Sequence, residues 1–126
     1  RIHLLTRHGG ALRLLPRSPL NRAGSTMAED LLEEIGEAVS LKGIDTLALC
    51  SHVPCGKAGK YGLNTLAIIG ALMDAKHLVK ATYRHLSVAC FFHVDYDGEK
   101  KHTYFVSRER WGAFREGALC APEESI

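Results

Sequence analysis

The chain has 126 residues, 46% of them hydrophobic and 24% charged, with a formal net charge of +2. Such a length and mixture suit one globular domain with its own core, and exclude a disulfide-dependent miniprotein or a highly charged disordered chain. The small positive charge is spread along the sequence and marks no nucleic-acid face, and no apolar run approaches the roughly 18 residues of a membrane span.

Arg1 to Leu5 is too short for a secretory signal, and no small-residue cleavage pattern follows. The opening without methionine points to a processed or trimmed product with further sequence upstream. The cysteines at 50, 55, 90 and 120 have no framework spacing. Without a secretory signal they predict a reducing, cytoplasmic setting. Cys50 and Cys90 lie in apolar runs and read as small buried hydrophobes.

His3 to Thr6 predicts a short first strand, followed by the turn Arg7-His8-Gly9-Gly10, where two glycines permit close backbone approach. Residues 13–24 carry Pro16, Pro19, Asn21 and Gly24 and predict a loop across one end of a sheet, of a length that often contacts a ligand or partner. Thr26 with Glu29 predicts a capping box opening a helix. Leu31, Leu32, Ile35, Ala38 and Val39 form its apolar face, and Lys42-Gly43 its stop. Ile44 to Ser51 predicts a buried strand, and His52 to Gly59 a polar turn with flexible backbone.

A second helix is expected from Asn64 to Thr82. It is more apolar than the first, and Ile68 and Leu72 are taken to face different ways, which predicts a sandwiched helix packed against a second subunit. Ser87 to Tyr96 predicts a central strand, Asp97-Gly98 a hairpin turn and Lys101 to Val106 an edge strand. Ser107 then caps a short helix through Trp111 and Phe114 to Gly117. The expected organisation is one domain over residues 1–119 and a mobile tail over 120–126. Alternating strands and helices predict an α/β fold: a mostly parallel central sheet with flanking helices and a C-terminal β-hairpin plus short helix. Ligands of such sheets bind beyond the carboxyl ends of the strands, so Arg7–Gly10 and His52–Gly56 are expected to face one crevice.

His52 and Cys55 stand three positions apart at a strand end, where an imidazole and a thiolate suit zinc. The stretch His52-Val53-Pro54-Cys55-Gly56 resembles the signature of the β-class carbonic anhydrases. Arg7-His8-Gly9-Gly10 is similar to that family's arginine-and-glycine turn, and Phe92 to Gly98 to its late strand and glycine hairpin. The resemblance implies a zinc lyase that reversibly hydrates carbon dioxide to bicarbonate, with Zn2+ on His52 and Cys55. The chain is expected to be a cytoplasmic homo-oligomer that binds neither nucleic acid nor membrane. The family's Cys-x-Asp-x-Arg segment, which supplies a further ligand and an access-controlling pair, has no counterpart in these residues.

If the first two strands are neighbours, His8 lies beside His52 and replaces the missing ligand; otherwise it is a backbone-bonded turn residue. Arg7 and Lys57, with the amides of Gly56–Gly59, are the catalytic candidates that steady the anionic product. Cys50 shares a strand face with His52 but is expected deeper, and Cys90 and His93 point to opposite faces, His93 reading as a core or interface histidine. No Ser-His-Asp arrangement is visible. Gly56 to Lys60 fails the phosphate-loop spacing, and the deaminase pattern lacks its glutamate and second cysteine. The alternative function is a non-catalytic relative, zinc-binding or metal-free, that serves as an interaction or assembly subunit.

Overall fold

The computed structural model describes residues 2–96 and 98–120. The first helix, α1, spans Met27–Lys42 and buries Leu31, Ile35 and Ala38 on one stripe, while Glu29, Asp30, Glu33 and Glu37 stay exposed. Gly43 ends it in the left-handed conformation at φ +64°, its N–H donating to Val39 O at 3.1 Å. The expected capping box does not form. Thr26 has ψ 8°, not the extended backbone of an N-cap, and its Oγ1 donates to Asp30 Oδ2 at 2.8 Å. Ser25 Oγ instead accepts the N–H of Met27 at 3.1 Å.

The sheet contains β1, Thr46–Val53, β2, Ser87–Asp95, and β3, Lys101–Val106, in that order. β1 and β2 are parallel, while β2 and β3 are antiparallel. The sheet is therefore small and mixed rather than mostly parallel. His3 to Thr6 adds no strand to it. Ile2 and Leu4 are exposed and only Leu5 packs on the core, so that segment gains too little burial to hold an edge position.

The helices lie over one face of the sheet. Leu49, Val88 and Cys90 pack there with Leu31 and Ile35 of α1 and with Leu72 and Val79 of the crossover helix α3, Thr65–Thr82. Ile68 and Leu72 do not face different ways. Four residues apart on a helix they share a side, and both are buried with Ala75 and Val79. Asn64 caps α3 as expected, Oδ1 accepting from Ala67 N–H at 2.8 Å. At the far end Tyr83 reaches α1, and its hydroxyl donates to Leu32 O at 2.7 Å. That hydroxyl occupies the place a Cβ would take at Gly36.

β1 alternates rather than being buried throughout: Leu49 and Ser51 are buried, and Ala48, Cys50 and His52 are directed to the other face. Cys50 thus lies at the surface, whereas Cys90 is fully buried as expected. β1 runs on to Val53, so His52 belongs to the strand and not to the following turn.

A short helix unforeseen in the sequence, α2, spans Gly56–Lys60. Its glycines disfavour helix, but Ala58 is fully buried against Leu12, Leu20, Ile68 and Phe92, and that packing holds the turn in place. Residues 13–24 are likewise more than a loop. A 3-10 helix spans Gly10–Leu14, and Leu12, Leu14 and Leu20 plug the core. Asn21 pins the segment, accepting from Arg13 Nε at 3.0 Å and donating to the carbonyls of Arg13 and Leu15 at 3.1 Å each.

Beyond β2, Gly98 turns at φ +81°, and Tyr96 N–H donates to Lys100 O at 2.8 Å, closing the hairpin. Asp97 of the expected turn lies outside the described residues. Ser107 Oγ accepts from Arg110 N–H at 3.1 Å as α4 begins, and α4 spans Arg108–Cys120. The expected mobile tail lies, from residue 121 on, outside the described residues.

Candidate metal-binding turn and the surrounding surfaces

His52 is exposed on the sheet face away from the helices. Its Nδ1 lies 3.1 Å from Pro54 O. A carbonyl can only accept, so Nδ1 carries a proton, and in the neutral ring Nε2 is the nitrogen with the free lone pair. Cys55 is in different surroundings. It is half-buried against the cluster of Ala58, Ile68 and Phe92 on the helix side. It is the N-cap of α2, its Sγ accepting the N–H of Ala58 at 3.5 Å.

His8 is exposed in the turn before the 3-10 helix. That turn approaches the middle of β1: a Cβ on Gly10, at φ +57°, would lie 2.9 Å from Cys50 O. The approach that the two glycines predicted is therefore real, but it is made along the strand and not beyond its carboxyl end. Among the described residues no three His, Cys, Asp or Glu side chains converge on one point. His8, His52 and Cys55 are not brought together, so the three protein ligands of a catalytic zinc are not assembled from them. The donor set does not fit that centre.

The two catalytic candidates are engaged elsewhere. Arg7 donates to Thr6 O at 2.7 Å and faces Glu34 of α1 across 3.5 Å. The Lys57 ammonium stands 5.7 Å from the centre of the Tyr61 ring, with Lys60 at 5.9 Å, both within cation–π range.

The thiols on β1 and β2 are poor nucleophiles. Burial pushes Cys90 up to about 11, against an opposing pull from Lys76 and with a small further rise from Cys50. Burial also raises Cys50. Both are kept as thiols at neutral pH.

One pairing is not visible in the sequence. His52 and His93 are register partners on the parallel strands, and His93 Nδ1 lies 2.8 Å from Thr103 Oγ1 on β3. Cys90 and His93 do point to opposite faces, as expected. The available signal is one histidine near the carboxyl end of each of two predicted strands; the register itself is needed to align them.

Two concave surfaces lie away from His52 and Cys55. A largely apolar cavity of about 280 Å³ sits between the N-terminal segment, α1 and β1, with Leu5, Leu14, Leu31 and Leu49 in its walls and Arg7 and Glu34 among its polar groups. A groove of about 360 Å³ runs between α3, β3 and α4, lined by Leu66, Ile69, Tyr104, Phe105, Trp111 and Phe114.

No family model, no curated protein and no solved structure matches this chain. No helix among the described residues is long and apolar enough to cross a membrane.

Proposed function

We propose that this chain is a non-catalytic interaction or assembly unit, built on a small α/β scaffold, and that its partner is a second copy of itself. The observation that carries this reading is the groove between α3, β3 and α4. Leu66, Tyr104 and Phe114 line it, and each is between 43% and 52% exposed. Large apolar side chains gathered at one exposed site mark a surface that a partner covers.

A self-partner suits the chemistry of the site. A two-fold interface must be self-complementary, and this one offers both a slot and the projecting rings to fill it. α4 also carries charges of both signs, Arg108, Arg110 and Arg115 among Glu109 and Glu116. Sedimentation of the full chain over a range of concentrations tests this. A dimer that Phe114→Glu dissociates supports it, and a monomer at all concentrations overturns it.

The second reading is the zinc-dependent hydration of carbon dioxide. It is favoured by one specific feature, the retained His52-Val53-Pro54-Cys55-Gly56 at a strand end. Zinc content and carbon dioxide hydration, measured on wild type and Cys55→Ser, separate the two. Stoichiometric zinc and hydration activity that are lost together in the variant establish the enzyme. Absence of hydration activity in the wild type leaves the assembly reading standing.

A further inference from the structure

We propose that His52 and His93 form a two-imidazole clip for a divalent transition-metal ion on the sheet face opposite the helices. The site shares His52 with the zinc motif but replaces Cys55 with His93, and it stands independently of the assembly reading.

The pairing of β1 with β2 creates the clip. His52 and His93 are register partners on parallel strands. Neighbouring strands run about 4.8 Å apart, and in-register residues of a parallel pair project to the same face. His52 is exposed and His93 half-buried there, with exposed Cys50 and Thr103 beside them. The helices that cover Leu49, Cys90 and Phe92 lie on the other side, so an ion reaches this face from solvent.

Each ring already has a hydrogen-bond partner on Nδ1, the position from which a metal-ligating histidine is commonly oriented, and a hydroxyl such as that of Thr103 can accept there. Histidine ligands usually donate the N–H of the non-ligating nitrogen to a carbonyl, carboxylate or water, which fixes the tautomer and orients the ring. His52 Nδ1 is bonded to Pro54 O at 3.1 Å, and His93 Nδ1 to Thr103 Oγ1 at 2.8 Å. In both residues the nitrogen left free is Nε2, and for His52 the carbonyl partner makes Nε2 the lone-pair nitrogen of the neutral ring. Two neutral imidazoles suit Zn2+, Ni2+ or Cu2+ and do not suit Mg2+ or Ca2+, which take oxygen ligands. The ion's remaining positions go to water.

The test uses Ni2+ as its chloride, titrated calorimetrically into the full chain. Wild type and Cys55→Ser bind one equivalent, whereas His52→Ala and His93→Ala each lose that binding. Thr103→Val keeps both ligands but removes the hydroxyl behind His93, and it weakens binding about tenfold. In NMR spectra, substoichiometric Ni2+ broadens the ring signals of His52 and His93 together, ahead of the five others among the seven histidines. An unchanged isotherm in His93→Ala overturns the proposal. So does loss of binding in Cys55→Ser with binding intact in His93→Ala, an outcome that places the ion on the zinc motif instead.

Discussion

The Tyr83 hydroxyl, at the end of α3, donates to the Leu32 carbonyl of α1 at 2.7 Å and does so over Gly36, where no side chain fits. Fifty-one residues separate the two partners in sequence. This contact, with the burial of Leu31 and Ile35 beside Leu72 and Val79, sets how the two long helices meet above the sheet.

Tyr83→Phe removes that hydrogen bond and is expected to cost about 0.5–1.5 kcal/mol of stability. Gly36→Ala drives a methyl group into the hydroxyl and is expected to cost about 1–3 kcal/mol. The two are coupled, because Tyr83→Phe deletes the very atom that the methyl group of Gly36→Ala strikes. A double-mutant cycle in urea should therefore show the pair costing less than the sum of the singles. Additive losses would mean that the hydroxyl is not what excludes a side chain at position 36.

Two helix starts make a paired test. Asn64 accepts from Ala67 N–H at 2.8 Å, whereas Thr26 makes no side-chain bond to a backbone N–H of α1. Asn64→Ala is expected to cost about 1 kcal/mol. Thr26→Ala should cost clearly less, because it loses only an exposed contact to Asp30. Chemical denaturation of both variants checks the order, and a larger loss at Thr26 would contradict the assigned caps.

Alkaline pH should destabilise the fold through Cys90. Its thiol is raised by burial from 9.0 in the reference state to about 11 in the folded one, so the folded state holds the proton more tightly. The stability is fully present below pH 9.0 and is lost as pH rises toward about 11. Thermal melting across that window should show a falling Tm in the wild type and a shallower fall in Cys90→Ala. Thiol labelling of the native protein near neutral pH should modify exposed Cys50 well before buried Cys90.

Phe114→Glu places a charge in the groove between α3 and α4, where the native ring is 50% exposed and stacks on Trp111 at 5.7 Å. With so exposed a ring, monomer stability should change little, by about 0.5 kcal/mol. The sedimenting mass should fall to that of one chain. A folded variant that still sedimented as a dimer would remove the groove from the interface.

Much of the secondary structure is legible from residue type alone. Asn64, Gly43 and Ser107 act at helix ends as their side chains or backbone freedom require, and Gly98 turns the hairpin. These are local effects, decided within a few residues. The capping box fails locally too, since Thr26 has already turned into the helix and Ser25 takes its role.

The order and type of the main elements follow from the residues alone: a charged amphipathic helix, an apolar crossover helix between two strands, and a hairpin. What those elements do together was settled by contacts between distant segments. Burial of Ala58 made a helix of a glycine-rich turn, and poor burial left His3 to Thr6 out of the sheet. The continuation of β1 to Val53 placed His52 on the open face while Cys55 turned into the helix-side cluster, parting two residues that are close in sequence. The same register brought His52 beside His93, forty-one positions away. At these places register and burial depended on which segments meet in space; a strand's own alternation fixes only which of its residues share a face.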